Sequence, residues 1–215
     1  MPSVDEHERF EFAQNLIIEA GDLALQYFAS VNELSIMSKG AQDMVSEADT
    51  AVEKLIRNRL MAAYPDDGYL GEETGHEAAS GDSGIWVVDP IDGTQTFLSG
   101  LNPWCISIAY VRSNEVLLGV VNNPAAGELF IGGVGRTAEL NGQPIAPRQD
   151  ASVGDGLTYL GCNLRLRPEQ VVPVLDRLLR AGGMFVRNGS GALGLCDVAC
   201  GRLIGYVEAH INSWD

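Results

Sequence analysis

The stretch Trp86–Phe97, WVVDPIDGTQTF, constrains this chain more than any other. An apolar run, Trp86-Val87-Val88, ends in two acids, Asp89 and Asp92, with Pro90 between them and Gly93 after. The run reads as a buried strand, so it carries two like charges to the edge of a core. Held close they repel, and their burial is costly unless something compensates. Asp-Pro-Ile-Asp-Gly-Thr fixes a rigid turn, and Asp-Gly-Thr can open a helix whose free N–H groups favour an anion such as phosphate. Hard divalent cations answer both demands. Mg²⁺ takes oxygen ligands, removes the repulsion between carboxylates and bridges them to phosphate oxygens. The formal net charge of −15 sharpens the point, because an anionic substrate then needs a cation to mediate. The same charge argues against a general nucleic-acid binder, which needs basic surface.

The 215 residues allow one large domain or two small ones, and a hydrophobic content of 46% supports a real core. Apolar residues at Phe12, Leu16, Ala20, Leu23, Ala24 and Tyr27 predict an amphipathic helix from about Glu8 to Phe28. A loop with Ser38-Lys39-Gly40 follows. Ser46 reads as the N-cap of a second helix, with Pro65 marking its end after Tyr64. Short strands are expected at Gly68–Gly71 and Ile85–Val88. An antiparallel pair, Ile106–Val111 and Val116–Val121, turns at Ser113-Asn114, and Glu128–Ile131 extends the sheet. Asn141-Gly142 marks a tight turn. From about Gly156 the rhythm alternates: strand Leu157–Leu160, helix Pro168–Arg180, strand Met184–Arg187, helix Ser190–Cys200, strand Leu203–Glu208. This divides the chain into an α+β half, residues 1–145, and an α/β half, residues 146–215.

Acids also fall at other element ends: Asp49 at a helix start, Glu72 after a strand, and Asp215 after Trp214. Each alone has a plain structural explanation, such as a favourable helix dipole for Asp49. Cys105, Cys162, Cys196 and Cys200 show no CxxC pairing and no secretory context, so buried free thiols in a reducing cytoplasm are expected. The N-terminus lacks an apolar targeting segment, and no apolar run approaches the length of a membrane span. His7, His76 and His210 have no obvious serine partner, so a Ser/His/Asp triad is unpersuasive.

GEE at Gly71–Glu73, WVVDPIDGTQTF and SWD at Ser213–Asp215 together resemble the inositol monophosphatase family of Mg²⁺-dependent phosphatases. The Lys39 loop, VSEAD at Val45–Asp49, Asn141-Gly142 and GSGAL at Gly189–Leu193 extend the resemblance over nearly the whole chain in the family's order. It implies an αβαβα layered sandwich of the sugar-phosphatase type, an antiparallel-sheet N-terminal half joined to an α/β C-terminal half, with the site between them. It implies two to three Mg²⁺ ions. Glu72, Asp89 and the Ile91 carbonyl would hold one. Asp89, Asp92 and Asp215 would hold a second, and a third, weaker ion would touch Glu72. Thr94, with Asp49 as partner, would orient and deprotonate the attacking water. Gly93 and Thr94 N–H groups would receive phosphate oxygens, and Gly189, Ser190 and Glu208 would lie near substrate hydroxyls.

The resemblance implies hydrolysis of a small phosphorylated polyol, first inositol 1-phosphate, by a cytoplasmic homodimer with neither nucleic-acid nor membrane partners. Histidinol phosphate, a sugar phosphate or 3′-phosphoadenosine 5′-phosphate are alternative substrates, and a non-catalytic regulatory binding protein is an alternative role. There are two departures. Thr96 stands where the family usually carries Asn, which touches substrate preference. The sequence stops at Asp215, where the family continues, so the expected sandwich is truncated there and its last ligand sits beside a chain end.

Overall fold

The computed structural model describes residues 4–34, 36–40, 43–163 and 165–214, with side chains for 7–34, 46–163 and 165–214. Helix α1 (Val4–Ala29) opens one turn earlier than periodicity predicts. Its buried stripe is Ala13, Leu16, Ile17, Ala20 and Ala24, while Phe12, Leu23 and Tyr27 flank it half-buried. The small residues let α1 lie close on the sheet below it. Strands β1 (Ile36–Gly40) and β2 (Asp43–Ser46) then form an antiparallel hairpin. Residues 38–40, expected as a loop, are therefore the end of a strand; backbone pairing with the following segment overrides their weak local signal.

Helix α2 (Glu47–Ala63) starts as expected at Ser46, whose hydroxyl accepts from the Ala48 and Asp49 N–H groups. Beyond it come β3 (Gly68–Gly71), β4 (Gly75–Glu77), β5 (Ile85–Asp92), α3 (Thr94–Leu98), β6 (Cys105–Arg112), β7 (Glu115–Asn123), β8 (Glu128–Gly133), β9 (Glu139–Leu140) and β10 (Gln143–Pro144). These strands make one eight-stranded sheet in the order β10-β9-β8-β7-β6-β5-β3-β4. It is antiparallel throughout except for the parallel pair β3–β5. The turns at Ser113-Asn114 and Asn141-Gly142 have positive φ at both residues, as a two-residue hairpin turn requires.

The remaining elements are β11 (Leu157–Leu160), α4 (Pro168–Arg180), β12 (Met184–Val186), α5 (Gly191–Ala199) and β13 (Gly205–Val207). The strands form a parallel sheet in the order β12-β11-β13. The crossover through α4 steps one way along this sheet and the crossover through α5 steps back. Right-handed connections therefore put the two helices on opposite faces.

Two cores follow. Ile17, Val52, Ile56, Trp86, Val88, Ile106 and Ile108 join α1 and α2 to one face of the large sheet. Cys105, Phe130, Ala192 and Leu193 join α5 to the other face. The order α1/α2, large sheet, α5, small sheet, α4 is the layered α+β sandwich that the resemblance implies. Within the first core, Arg9 donates twice to Asp67 at 3.1 Å. Asp67 also accepts from Trp86 Nε1 at 3.0 Å and the Tyr110 hydroxyl at 3.2 Å, so a buried ion pair ties α1 to β5 and β6.

Candidate active site

The strand expected to end at Val88 runs on to Asp92, and the two acids lie within it. Asp89 pairs with Ser107 and Asp92 with Cys105, so three steps along β5 match two along β6. A regular strand would send residues three apart to opposite faces. The extra residue is a bulge, and Pro90 fits there because it has no ladder N–H to lose. Ser107 and Cys105 share a face of β6, so their partners Asp89 and Asp92 share one too. Glu72 is brought beside them because β3 runs parallel to β5, with its N–H donating to Val88 O at 3.3 Å.

Burial makes compensation necessary: Asp49, Asp89 and Asp92 are 0%, 1% and 7% exposed. The helix N-termini supply much of it. Ser190 caps α5 and donates through Oγ to Asp92 Oδ2 at 2.6 Å. The α5 N–H of Ala192 reaches the same oxygen at 2.7 Å, and that of Gly191 reaches Oδ1 at 3.3 Å. The positive end of α5 thus faces the carboxylate. Cys105 Sγ lies 3.8 Å from Asp92 Oδ2, and burial, reinforced by that carboxylate, pushes the thiol well up, so it stays protonated.

Asp49 divides its two oxygens. Oδ2 accepts from Ser46 N at 2.8 Å and Ser46 Oγ at 2.5 Å, closing a capping box. Oδ1 lies 3.2 Å from Thr94 Oγ1. The same hydroxyl lies 3.0 Å from Ile91 O, and its single proton serves one acceptor at a time. Burial raises the Asp49 carboxyl above its ordinary range, partly offset by the Ser46 and Thr94 bonds. Gly93, with φ of 92°, turns the chain from β5 into α3, a conformation that a side chain disfavours. This leaves the first N–H groups of α3 at the cleft.

One open cleft of about 410 Å³ collects Glu72, Asp92, Gly93, Thr94, Gly189 and Glu208 from both halves of the chain. The buried Asp89 and Ile91 do not line it. Ser190 does not line it: its side chain, expected near substrate hydroxyls, is fully buried and committed to Asp92 and Leu193 N. Asp215 lies outside the described residues. Glu208 accepts from Asn163 Nδ2 at 2.9 Å and from the Tyr206 hydroxyl, which fixes its carboxylate at the cleft wall. Thr96 donates to Asn188 O at 3.1 Å and closes α3 onto the segment before α5. Gly189 must be bare there, because a Cβ would run into that hydroxyl. His7, His76 and His210 are all exposed, in keeping with surface roles.

Glu53 was not singled out from sequence. It is fully buried and accepts from Glu73 N at 2.8 Å, Thr74 N at 2.9 Å and the Thr74 hydroxyl. It therefore holds the loop that carries Glu72. A signal existed: Glu53 stands four residues after Asp49, on the α2 face that buries Val52 and Ile56.

The donor set suits a hard cation, since Glu72, Asp89, Asp92 and the Ile91 carbonyl offer oxygen only. Among the described residues no group of three or more His, Cys, Asp or Glu side chains is gathered closely enough to hold an ion. A site completed by water and substrate oxygens, as Mg²⁺ prefers, is compatible with that arrangement.

A family model described as the inositol monophosphatase family matches residues 5–215. The chain is 37% identical over 210 residues to a Nus factor SuhB of Xylella fastidiosa, covering 94% of this chain and 75% of that protein. It is 35% identical over 204 residues to an inositol-1-monophosphatase of Rhizobium meliloti, covering 93% and 76%. Its fold superposes with a TM-score of 0.90 on the crystal structure of extragenic suppressor protein SuhB from Bartonella henselae. That pair is 30% identical, over 95% of this chain and 80% of that one.

Proposed function

The chain belongs to the inositol monophosphatase family, and from that premise we propose that it hydrolyses a small phosphorylated polyol, inositol 1-phosphate first, with Mg²⁺ as cofactor. Membership makes it a phosphomonoesterase-type hydrolase. The observation that carries the finer reading is that Glu72, the buried Asp92 and the start of α3 open onto one cleft with Glu208 from the other half of the chain.

Glu72, Asp89, Asp92 and the Ile91 carbonyl would hold the ions, with Asp215 completing the set. When bound, Mg²⁺ supplies charge stabilisation for the phosphoryl group and acidifies a coordinated water. The chain's own groups do the rest. The N–H groups of Gly93 and Thr94, at the start of α3, receive phosphate oxygens. Thr94 Oγ1 orients the attacking water and passes a proton to Asp49, whose Oδ1 lies in reach. Ser190 and α5 hold Asp92 in place. Gly189 and the fixed Glu208 carboxylate face substrate hydroxyls. Phosphoryl transfer needs mainly this kind of positioning. The resemblance further supports a cytoplasmic homodimer; no described helix is long and apolar enough to cross a membrane.

The test is phosphate release from inositol 1-phosphate, with histidinol, sugar and nucleotide phosphates alongside. Release should require Mg²⁺, stop in chelator, and fall by about 100-fold or more in Asp92→Asn, the scale of a lost electrostatic stabiliser. Release that persists in chelator would remove the reading. The relative named Nus factor SuhB favours a second reading, in which the chain acts through a macromolecular partner. Inertness toward every phosphomonoester together with a stable complex would support it.

A further inference from the structure

Arg165 and Arg187 line the same cleft as the acids, and they are its only cations among the described residues. Arg165 belongs to the loop between β11 and α4, and Arg187 directly follows β12. Both lie on the small-sheet side, whereas Gly93 and Thr94 come from the end of the large sheet. We infer that they form a cationic rim for a second anionic group of the substrate, a carboxylate or a second phosphate, separate from the scissile one. The inference rests on the phosphatase reading above and, within it, moves phosphomonoesters with a second anionic group ahead of inositol 1-phosphate.

The chain has 14 basic residues against 29 acidic ones, and Arg9, Arg57, Arg59, Arg180 and Arg202 are each neutralised by an acid. Arg165 and Arg187 form no ion pair with any described residue. The cleft acid on their own side, Glu208, is taken up by Asn163 and Tyr206 instead. Arg187 is also held in place: its Nη2 donates to Cys162 O at 2.8 Å. That fixes the guanidinium at the cleft wall and leaves other N–H groups for a ligand. A guanidinium is weakly hydrated, and its planar fork matches carboxylate or phosphate oxygens, so it exchanges water for such an anion readily. A polyol monophosphate offers these two charges hydroxyls but no second anion.

Three probes on one six-carbon chain test this: glucitol 6-phosphate, gluconate 6-phosphate and glucitol 1,6-bisphosphate. The full chain is assayed for phosphate release in Mg²⁺, and for equilibrium binding by calorimetry with Ca²⁺ in place of Mg²⁺. At least one two-anion probe should bind and turn over about tenfold better than glucitol 6-phosphate, above the twofold advantage of two ester ends, and that gain should shrink in about 0.5 M salt. Whether the carboxylate or the bisphosphate gains more identifies the second anion. Both arginines are exposed, so the variants keep the fold. The preference ratio should drop in Arg165→Gln and in Arg187→Gln, vanish in the double variant, and partly survive in Arg187→Lys. Equal binding of all three probes, or a ratio unchanged in the double variant, overturns the rim. Phosphate release without preference removes the rim and leaves the phosphatase reading. Preferential binding without any release supports the rim and removes that reading.

Discussion

Asp49 shows how one carboxylate can serve structure and chemistry at once. Its Oδ2 closes the capping box of α2, and its Oδ1 faces Thr94. Complete burial makes the arrangement costly once the group ionises, because desolvation is the main cause of its raised pKa. The sign follows from linkage. Between the ordinary value of 3.8 and the raised folded value, the folded protein binds more protons than the unfolded one. Stability from this residue therefore falls as pH rises through that window. In chelator, denaturant titrations from about pH 4 to pH 7 should show wild type losing stability relative to Asp49→Asn. A constant difference across that range would mean that the carboxylate is not taxed by burial. Thr96 is a second residue with a definite place. It clamps α3 to Asn188 O, so its effect on the cleft runs through that contact.

At the scale of elements, the site is made where α2, α3 and α5 begin and where β3 and β5 end. The bulge in β5 sets the two acids on one face, and Ser190 and the first turn of α5 hold Asp92 from behind. Glu53 plays the matching part for Glu72. In Glu53→Gln an amide N–H₂ would meet a backbone N–H, leaving donors of the Glu73–Thr74 loop unpaired. The expected loss is about 1–3 kcal/mol of stability by chemical denaturation. Loosening Glu72 should also raise the Mg²⁺ concentration for half-maximal phosphate release by about tenfold. A destabilised variant with an unmoved Mg²⁺ requirement would confine Glu53 to folding. Strand signals at the same scale were readable where alternation and turn residues agree, as at β6, β7 and the Ser113-Asn114 turn. They failed at β1, where pairing rather than composition makes the strand, and past Val88, where Pro90 marks a bulge rather than an end.

For the whole molecule, the large sheet is a platform, and the lock between Arg9 and Asp67 joins its first helix to its centre. Asp67→Ala would remove the carboxylate that accepts from Arg9, the Trp86 indole N–H and the Tyr110 hydroxyl in the core. The expected cost is about 3–5 kcal/mol, a fall in Tm of roughly 10 °C. Activity per folded molecule at low temperature should hold, since this lock shares no residue with the cleft. A full loss of activity with Tm unchanged would contradict that separation. Sequence alone determined what depends on near neighbours: helix periodicity, the Ser46 cap, tight turns, and a carboxylate pair following an apolar run. Those signals arise from contacts within a few residues and put Glu72, Asp92, Gly93 and Thr94 among the cleft candidates, while the family resemblance added Gly189 and Glu208. Only the tertiary structure decided which donors compensate Asp92, that Ser190 is buried behind it, and that Glu53 secures the Glu72 loop. It alone brought Arg165 and Arg187 to the same cleft. Ser190 and Ala192 lie 98 and 100 residues from Asp92 in sequence, and the distance closes only when the two sheets sandwich α5.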